Sequence, residues 1–228
     1  SLRNDRRSAD ALAILARRAA ESLDYASIIE DAELAELMSN DLFDDVERKI
    51  ISALAQAVVE RTMSAREVSE IIRSRQSSIW VDGYRELYAA LAAASDLLSD
   101  LATARFEIAS FDDGLDRYRK HWFRIDQLYR QFHFAARTTE YAGPLEALRV
   151  EVEKHYANRY LYELGNAWQQ QVDAVTDWRT VALRSQTRFF TDHVEPIIRK
   201  GNRKAVVIIS DALRYEVAEE LGSRIRQE

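Results

Sequence analysis

Four consecutive β-branched residues, Val206-Val207-Ile208-Ile209, lie between Lys204 and Asp211. No polar residue alternates with them. A strand with one wet face would alternate, so this run suits a strand covered on both faces, as in a parallel sheet. The spacing predicts a strand over 204–209, a carboxylate at its carboxyl end, and a helix from about Ala212 to Arg226. Open α/β sheets hold their ligands just beyond the carboxyl ends of strands, which is where Asp211 falls. One strand cannot satisfy its own backbone hydrogen bonds. The reading therefore expects more strands beyond residue 228. Without them, 204–209 is expected to pair with another chain, bury itself against helices, or be poorly ordered.

Upstream of residue 204 the pattern is helical. Asn4 or Asp5 can cap a helix running to about Glu21, and residues 26–39 read as one or two short helices. From Asp44 or Asp45, Val46, Ile50, Leu54, Ala57 and Val58 recur at helical spacing. Ser64-Ala65-Arg66-Glu67 is a capping box, predicting a helix over 65–75. Ser77 to Gly83 is a break containing Trp80, and a long helix is predicted from Tyr84 to about Glu107. Ser110 caps the next, Phe111 to about Arg137, with Leu115, Tyr118, Trp122, Ile125, Tyr129 and Phe132 on one face. After Gly143-Pro144 a second stripe runs from Leu145 through Tyr156, Tyr160 and Trp168 to about Asp173. A helix over about 183–200 should be kinked by Pro196 and stop at Gly201. The fold class is thus mainly α, a multi-helix bundle followed by one β-strand and a helix that begin a truncated α/β core. Three regions follow: helical over 1–110, aromatic-rich helical over 111–202, and the first β-α of the core over 203–228.

Composition narrows the function. The absence of cysteine excludes disulfides and thiolate metal sites. No apolar run approaches the roughly 18 residues of a membrane span, and nothing resembles a signal peptide, so a soluble cytoplasmic protein is expected. The net charge of −6 argues against a general nucleic-acid binder. It is unevenly spread: residues 21–60 carry eleven acids against Arg48 and Lys49. Residues 114–137 carry six bases against Asp116 and Asp126. Arg117, Lys120, Arg124 and Arg130, set among aromatics, are the candidate DNA contacts. The competing reading is an aromatic core with the bases solvated on the far face, and the sequence favours it.

The remaining candidates are weighed individually. For Asp211 the plain alternative to a metal ligand is an N-cap of the helix starting near Ala212. Ser210 lacks the Gly-x-Ser-x-Gly elbow of a nucleophile. Arg214 is a candidate contact for a phosphate, against an ordinary surface role. His121, His133, His155 and His193 have neither His-x-x-x-His nor Glu-x-x-His spacing, so packing or surface roles are expected.

The tail Val207-Ile208-Ile209-Ser210-Asp211-Ala212-Leu213-Arg214-Tyr215-Glu216 resembles the first metal-ligand motif of the PglZ family. That family is a branch of the alkaline phosphatase superfamily found in bacteriophage-exclusion (BREX) defence systems. Three upstream runs resemble its type A members. They are Tyr118 with Trp122, Ile125-Asp126 and Tyr129-Arg130; Tyr156 to Leu161 with Leu164 and Trp168; and Gln186 with Phe189-Phe190, Val194 and Pro196. The resemblance implies a central sheet with helices on both faces, a zinc-like pair of divalent metals and a Ser or Thr nucleophile. Asp211 is the one site residue it carries over, as a metal ligand in the parent protein. The nucleophile and the other ligands are expected beyond residue 228. No catalytic residue is thus expected in the chain itself, which alone should bind no metal and be inactive. The parent is expected to be a metal-dependent phosphohydrolase, phosphatase- or nuclease-like, working with other BREX proteins. The alternative is a non-catalytic helical scaffold for protein partners or DNA.

Overall fold

A computed structural model describes residues 6–139, 141–178, 186–201 and 204–227. The chain divides into two compact units, each drawing on separated stretches. One comprises residues 1–105 and 125–163, the other 106–124 and 164–228.

The first unit opens with α1 (Arg6–Leu23), followed by the short α2 (Tyr25–Ile28) and α3 (Leu34–Leu37). Then come α4 (Asp44–Glu60), α5 (Ala65–Arg75) and α6 (Val81–Thr103). The capping box forms as the sequence predicts. Ser64 Oγ accepts from the Glu67 N–H at 3.3 Å, and the Glu67 carboxylate accepts from the Ser64 N–H at 2.8 Å. That hydrogen bond holds the Glu67 carboxyl below its usual range. α6 starts three residues before Tyr84 and stops at Thr103, short of the expected Glu107. Ala104 is extended there, and its carbonyl accepts from Arg159 at 3.4 Å.

The helix predicted from Phe111 to Arg137 exists but is not uniform. α7 (Phe111–Arg117) and α8 (Phe123–Thr138) are joined by a π-turn over Tyr118–Trp122. Ser110 caps it as expected, accepting from the Asp113 N–H at 3.1 Å. The next helix has the same build: α9 (Glu146–His155), a π-turn over Tyr156–Leu161, and α10 (Tyr162–Ala174). A third π-turn, Phe190–Val194, precedes α11 (Glu195–Arg199). Pro196 lies in the first turn of α11, where its missing N–H leaves no bond unmade. The start of the helix predicted from residue 183 lies outside the described residues, and Gly201, at φ 65°, ends it as expected.

The core of the first unit is built where α4, α6 and α9 meet. Val46, Ile50 and Leu54 of α4 face Leu87, Leu91 and Leu97 of α6 and Leu148 and Val152 of α9, all fully buried. Each such side chain contributes about 1.5–3 kcal/mol. An ion pair lies inside this apolar frame. Glu47 is wholly buried and Arg75 nearly so. Arg75 donates to one Glu47 oxygen from Nη2 at 2.5 Å and Nε at 3.1 Å, while the Tyr88 hydroxyl donates to the other oxygen. Arg75 also donates to the carbonyls of Met38 and Asn40. Burial opposes the Arg75 charge, but Glu47 outweighs it and its pKa is raised. Burial and the Glu47 charge push the Tyr88 phenol up. One cluster therefore fixes α4, α5, α6 and the loop after α3.

In the second unit, Phe111 packs against Trp168 and Trp178 with ring centroids 5.1 and 5.3 Å away. Gly114 lets α7 approach: a Cβ there would stand 2.2 Å from the Trp168 ring.

Two measurements test this frame. Arg75→Met leaves a carboxylate buried without its cation and is expected to cost about 3–5 kcal/mol in urea unfolding. The double variant E47M/R75M should recover much of that loss, and an unchanged R75M would contradict the pairing. Burial depresses the imidazole pKa values of His133 and His155, with Arg137 and Arg149 beside the first and Arg61 beside the second. A depressed imidazole pKa means that the unfolded chain takes up protons first, so this stability is present above about pH 6.5 and lost as pH falls. The difference in stability between pH 7.5 and 5.5 should therefore shrink in H133Q/H155Q.

Candidate functional site

The carboxyl-terminal segment departs from the predicted strand. No β-strand occurs among the described residues, and 204–210 has no regular secondary structure. Its apolar side chains face solvent: Val206 is 85 % exposed, Ile208 89 % and Ile209 91 %. Strand pairing needs a neighbour, and the helices have already spent their backbone groups on themselves.

Asp211 and Ala212 form a turn, with Ala212 in the left-handed region at φ 55°. That conformation costs an L-residue roughly 1–2 kcal/mol. It also explains a correction. The helix begins not near Ala212 but three residues later, as α12 (Tyr215–Gln227). The Arg214 carbonyl accepts its first bonds, from Val217 at 3.1 Å and Ala218 at 3.0 Å. Asp211 is therefore not the N-cap. Its carboxylate is exposed at the end of the extended run, as is Ser210 beside it. Arg214 lies with its Nε 3.9 Å from the fully buried Glu216.

What holds the turn in place is Tyr215. Its ring meets Tyr118 at 5.9 Å and Phe123 at 5.6 Å, and its hydroxyl donates to the Arg119 carbonyl at 3.4 Å. The π-turn over Tyr118–Trp122 thus provides the dock for α12. Trp122 is buried against Phe106 at 5.7 Å.

A second constellation was not anticipated from sequence. Asp126 is buried and accepts from the hydroxyls of Tyr156 at 2.7 Å and Tyr160 at 3.1 Å. Tyr129 stacks on Tyr156 at 3.7 Å, nearly parallel. The available signal was a carboxylate on an apolar helical face, matched by two tyrosines one turn apart on a later helix.

The candidate DNA contacts are partly committed elsewhere. Arg117 pairs with Asp113 at 3.0 Å and Lys120 with Asp116 at 2.6 Å, each one helical turn away. Arg124 is exposed in the same unit, whereas Arg130 belongs to the other. Among the described residues, no three His, Cys, Asp or Glu side chains gather as a metal site. His193 packs beside Phe189, and His121 is exposed. No helix among the described residues is long and apolar enough to cross a membrane.

Comparison with known proteins turns on this same segment. The profile of the BREX system PglZ alkaline phosphatase-like domain matches residues 189–228. The chain belongs to the PglZ family. It is 30% identical over 205 residues to the alkaline phosphatase-like protein PglZ of Bacillus cereus (strain H3081.97), covering 88% of this chain and 24% of the relative. It is 34% identical over 197 residues to the alkaline phosphatase-like protein BrxZ of Escherichia coli O9:H4 (strain HS), covering 80% and 23%. The chain thus spans about a quarter of the length of the curated relatives it matches. No solved structure matches it significantly. Among the described residues, π-turns lie at 118–122, 156–161 and 190–194. Such π-bulges concentrate at functional sites.

Replacing Tyr215 tests the dock. Tyr215→Ala removes two ring contacts worth about 0.5–1.5 kcal/mol each, and protease cleavage within 215–227 should rise while the first unit keeps its protection. Tyr215→Phe should behave nearly as the wild type. Equal susceptibility of the alanine variant and wild type would contradict this role.

Proposed function

We propose that this chain forms the helical region and the opening motif of a PglZ-like metal-dependent phosphohydrolase of a BREX defence system. The observation that carries the reading is the Val206–Ile209 run, with Val206, Ile208 and Ile209 almost fully exposed and Val207 partly so, ending in the Asp211 turn. It is apolar enough for the interior of a sheet, yet unpaired. The relatives' greater length and alkaline phosphatase-like names support the view that further strands of the parent protein cover it. In that assembly the run becomes a core strand, and Asp211 stands rigidly at its carboxyl end.

A divalent metal pair fits this chain incompletely. Metal sites of this kind need several ligands, and Asp211 alone supplies one carboxylate. The pair, with the nucleophile, would have to draw on residues outside this chain, so no catalytic step is assigned here. When bound, such a pair supplies electrostatic clamping of the attacking and leaving oxygens of phosphoryl transfer. The chain's own part is positional. Tyr215 anchors α12, α12 fixes the turn, and the strained Ala212 directs Asp211 to the open end of the run. Arg214, half exposed and 3.9 Å from Glu216, is this reading's candidate contact for a substrate phosphate. The same reading makes other proteins of the defence system the partners of the parent.

The test is the parent protein carrying Asp211→Ala. Zinc or manganese affinity is expected to fall at least tenfold, with phosphomonoester and phosphodiester cleavage lost and the thermal unfolding of the helical units unchanged. Undiminished metal binding and cleavage would remove Asp211 from the site.

A further inference from the structure

One cleft in the first unit has no part in the phosphohydrolase reading. Its volume is about 750 Å³, within the range of small-molecule sites, and it opens between α1, the first turns of α4, the start of α6 and the end of α8. Two guanidiniums define it. Arg17 lies over the buried Trp80 ring at 5.0 Å, and Arg48 lies over the Tyr141 ring at 4.7 Å. Both face the same carboxylate. Arg48 Nη2 donates to Asp44 at 3.1 Å, while Arg17 Nε stands 3.6 Å from it.

Three features give this cleft its chemistry. First, two cations share one anion, so a positive charge remains where they meet. The lining as a whole is neutral, Arg85 pairing with Asp82 at 2.5 Å and the Glu86 carboxylate keeping its charge as it accepts from Thr138 at 3.3 Å, so the pull on an anion is local to the two guanidiniums. Second, the guanidiniums are held in advance. The Tyr84 hydroxyl accepts from Arg48 Nε at 2.9 Å and donates to Asp44 at 2.8 Å, and both arginine planes rest on aromatic faces. A fixed guanidinium loses little entropy when it binds a bidentate oxyanion, and phosphate matches its donor fork. Third, the Tyr141 ring is 47 % exposed and lines the same space. A half-exposed ring beside an anion site is a stacking platform for a planar base. The Thr139 hydroxyl stands next to it on the lining.

We infer that this cleft binds a mononucleotide, its phosphate between Arg17 and Arg48 and its base against Tyr141. The site is independent of Asp211 and of any metal.

Isothermal titration of the chain with AMP, ADP and inorganic phosphate tests it. AMP and ADP should bind, and more tightly than phosphate. Arg17→Ala should weaken every one of these by about tenfold or more, since a charge-assisted hydrogen bond is worth about 1.5–3 kcal/mol. Arg17 is mostly exposed, and its contacts with the Trp80 ring and, at long range, with Asp44 lie at the surface of the cleft, so circular dichroism of the variant should match the wild type. Tyr141→Ala should weaken the nucleotides to the level of phosphate and leave phosphate itself unchanged. Binding of AMP no tighter than phosphate, binding unaffected by either variant, or no binding at about 10 mM ligand, far weaker than ordinary nucleotide sites, would overturn the proposal.

Discussion

A backbone in extended conformation leaves its N–H and C=O groups pointing sideways, so it can be satisfied only by a neighbour. A helix satisfies its own. That asymmetry governs this chain. The helices close their hydrogen bonds internally, bury a shared apolar core between α4, α6 and α9, and need nothing further. Residues 204–210 have no such local solution. Their valines and isoleucines face water, and each would gain about 1.5–3 kcal/mol on burial. On the function proposed above, that burial comes in a sheet that the rest of the parent protein supplies.

The helical body prepares for that event. Tyr215 holds α12 onto the π-turn at 118–122, and the turn at Asp211–Ala212 hangs between this anchor and the extended run. A second π-turn carries Tyr156 and Tyr160, whose hydroxyls both reach the buried Asp126. An extra residue in a helical turn shifts the register of every side chain after it. Here that shift lies at the beginning of α8, α10 and α11, at aromatic positions.

Much of the helical layout was legible because its signals are local. The Ser64 box gave α5 to the residue, the Val46–Val58 stripe gave α4, and Gly201 gave a stop. What escaped depended on residues far apart in sequence. Nothing near Glu47 announces Arg75 and Tyr88, 28 and 41 residues away. Asp126 read as one more charge in a basic stretch until two tyrosines from a later helix closed over it. The π-turns escaped because α and π registers share one apolar periodicity over a few residues. The expected strand and cap failed for a different reason. Strand propensity is a statement about neighbours, and a left-handed Ala212 delays the helix to Tyr215.

The central claim is that 204–209 is an interior strand waiting for its sheet. Amide hydrogen exchange followed on this peptide, in the chain alone and in the whole parent protein, tests it most directly. The account predicts rapid exchange at Val206–Ile209 in the chain and strong protection in the parent, comparable with the α4 and α6 core. Equally rapid exchange in both would show that the run never enters a sheet, and would contradict the account.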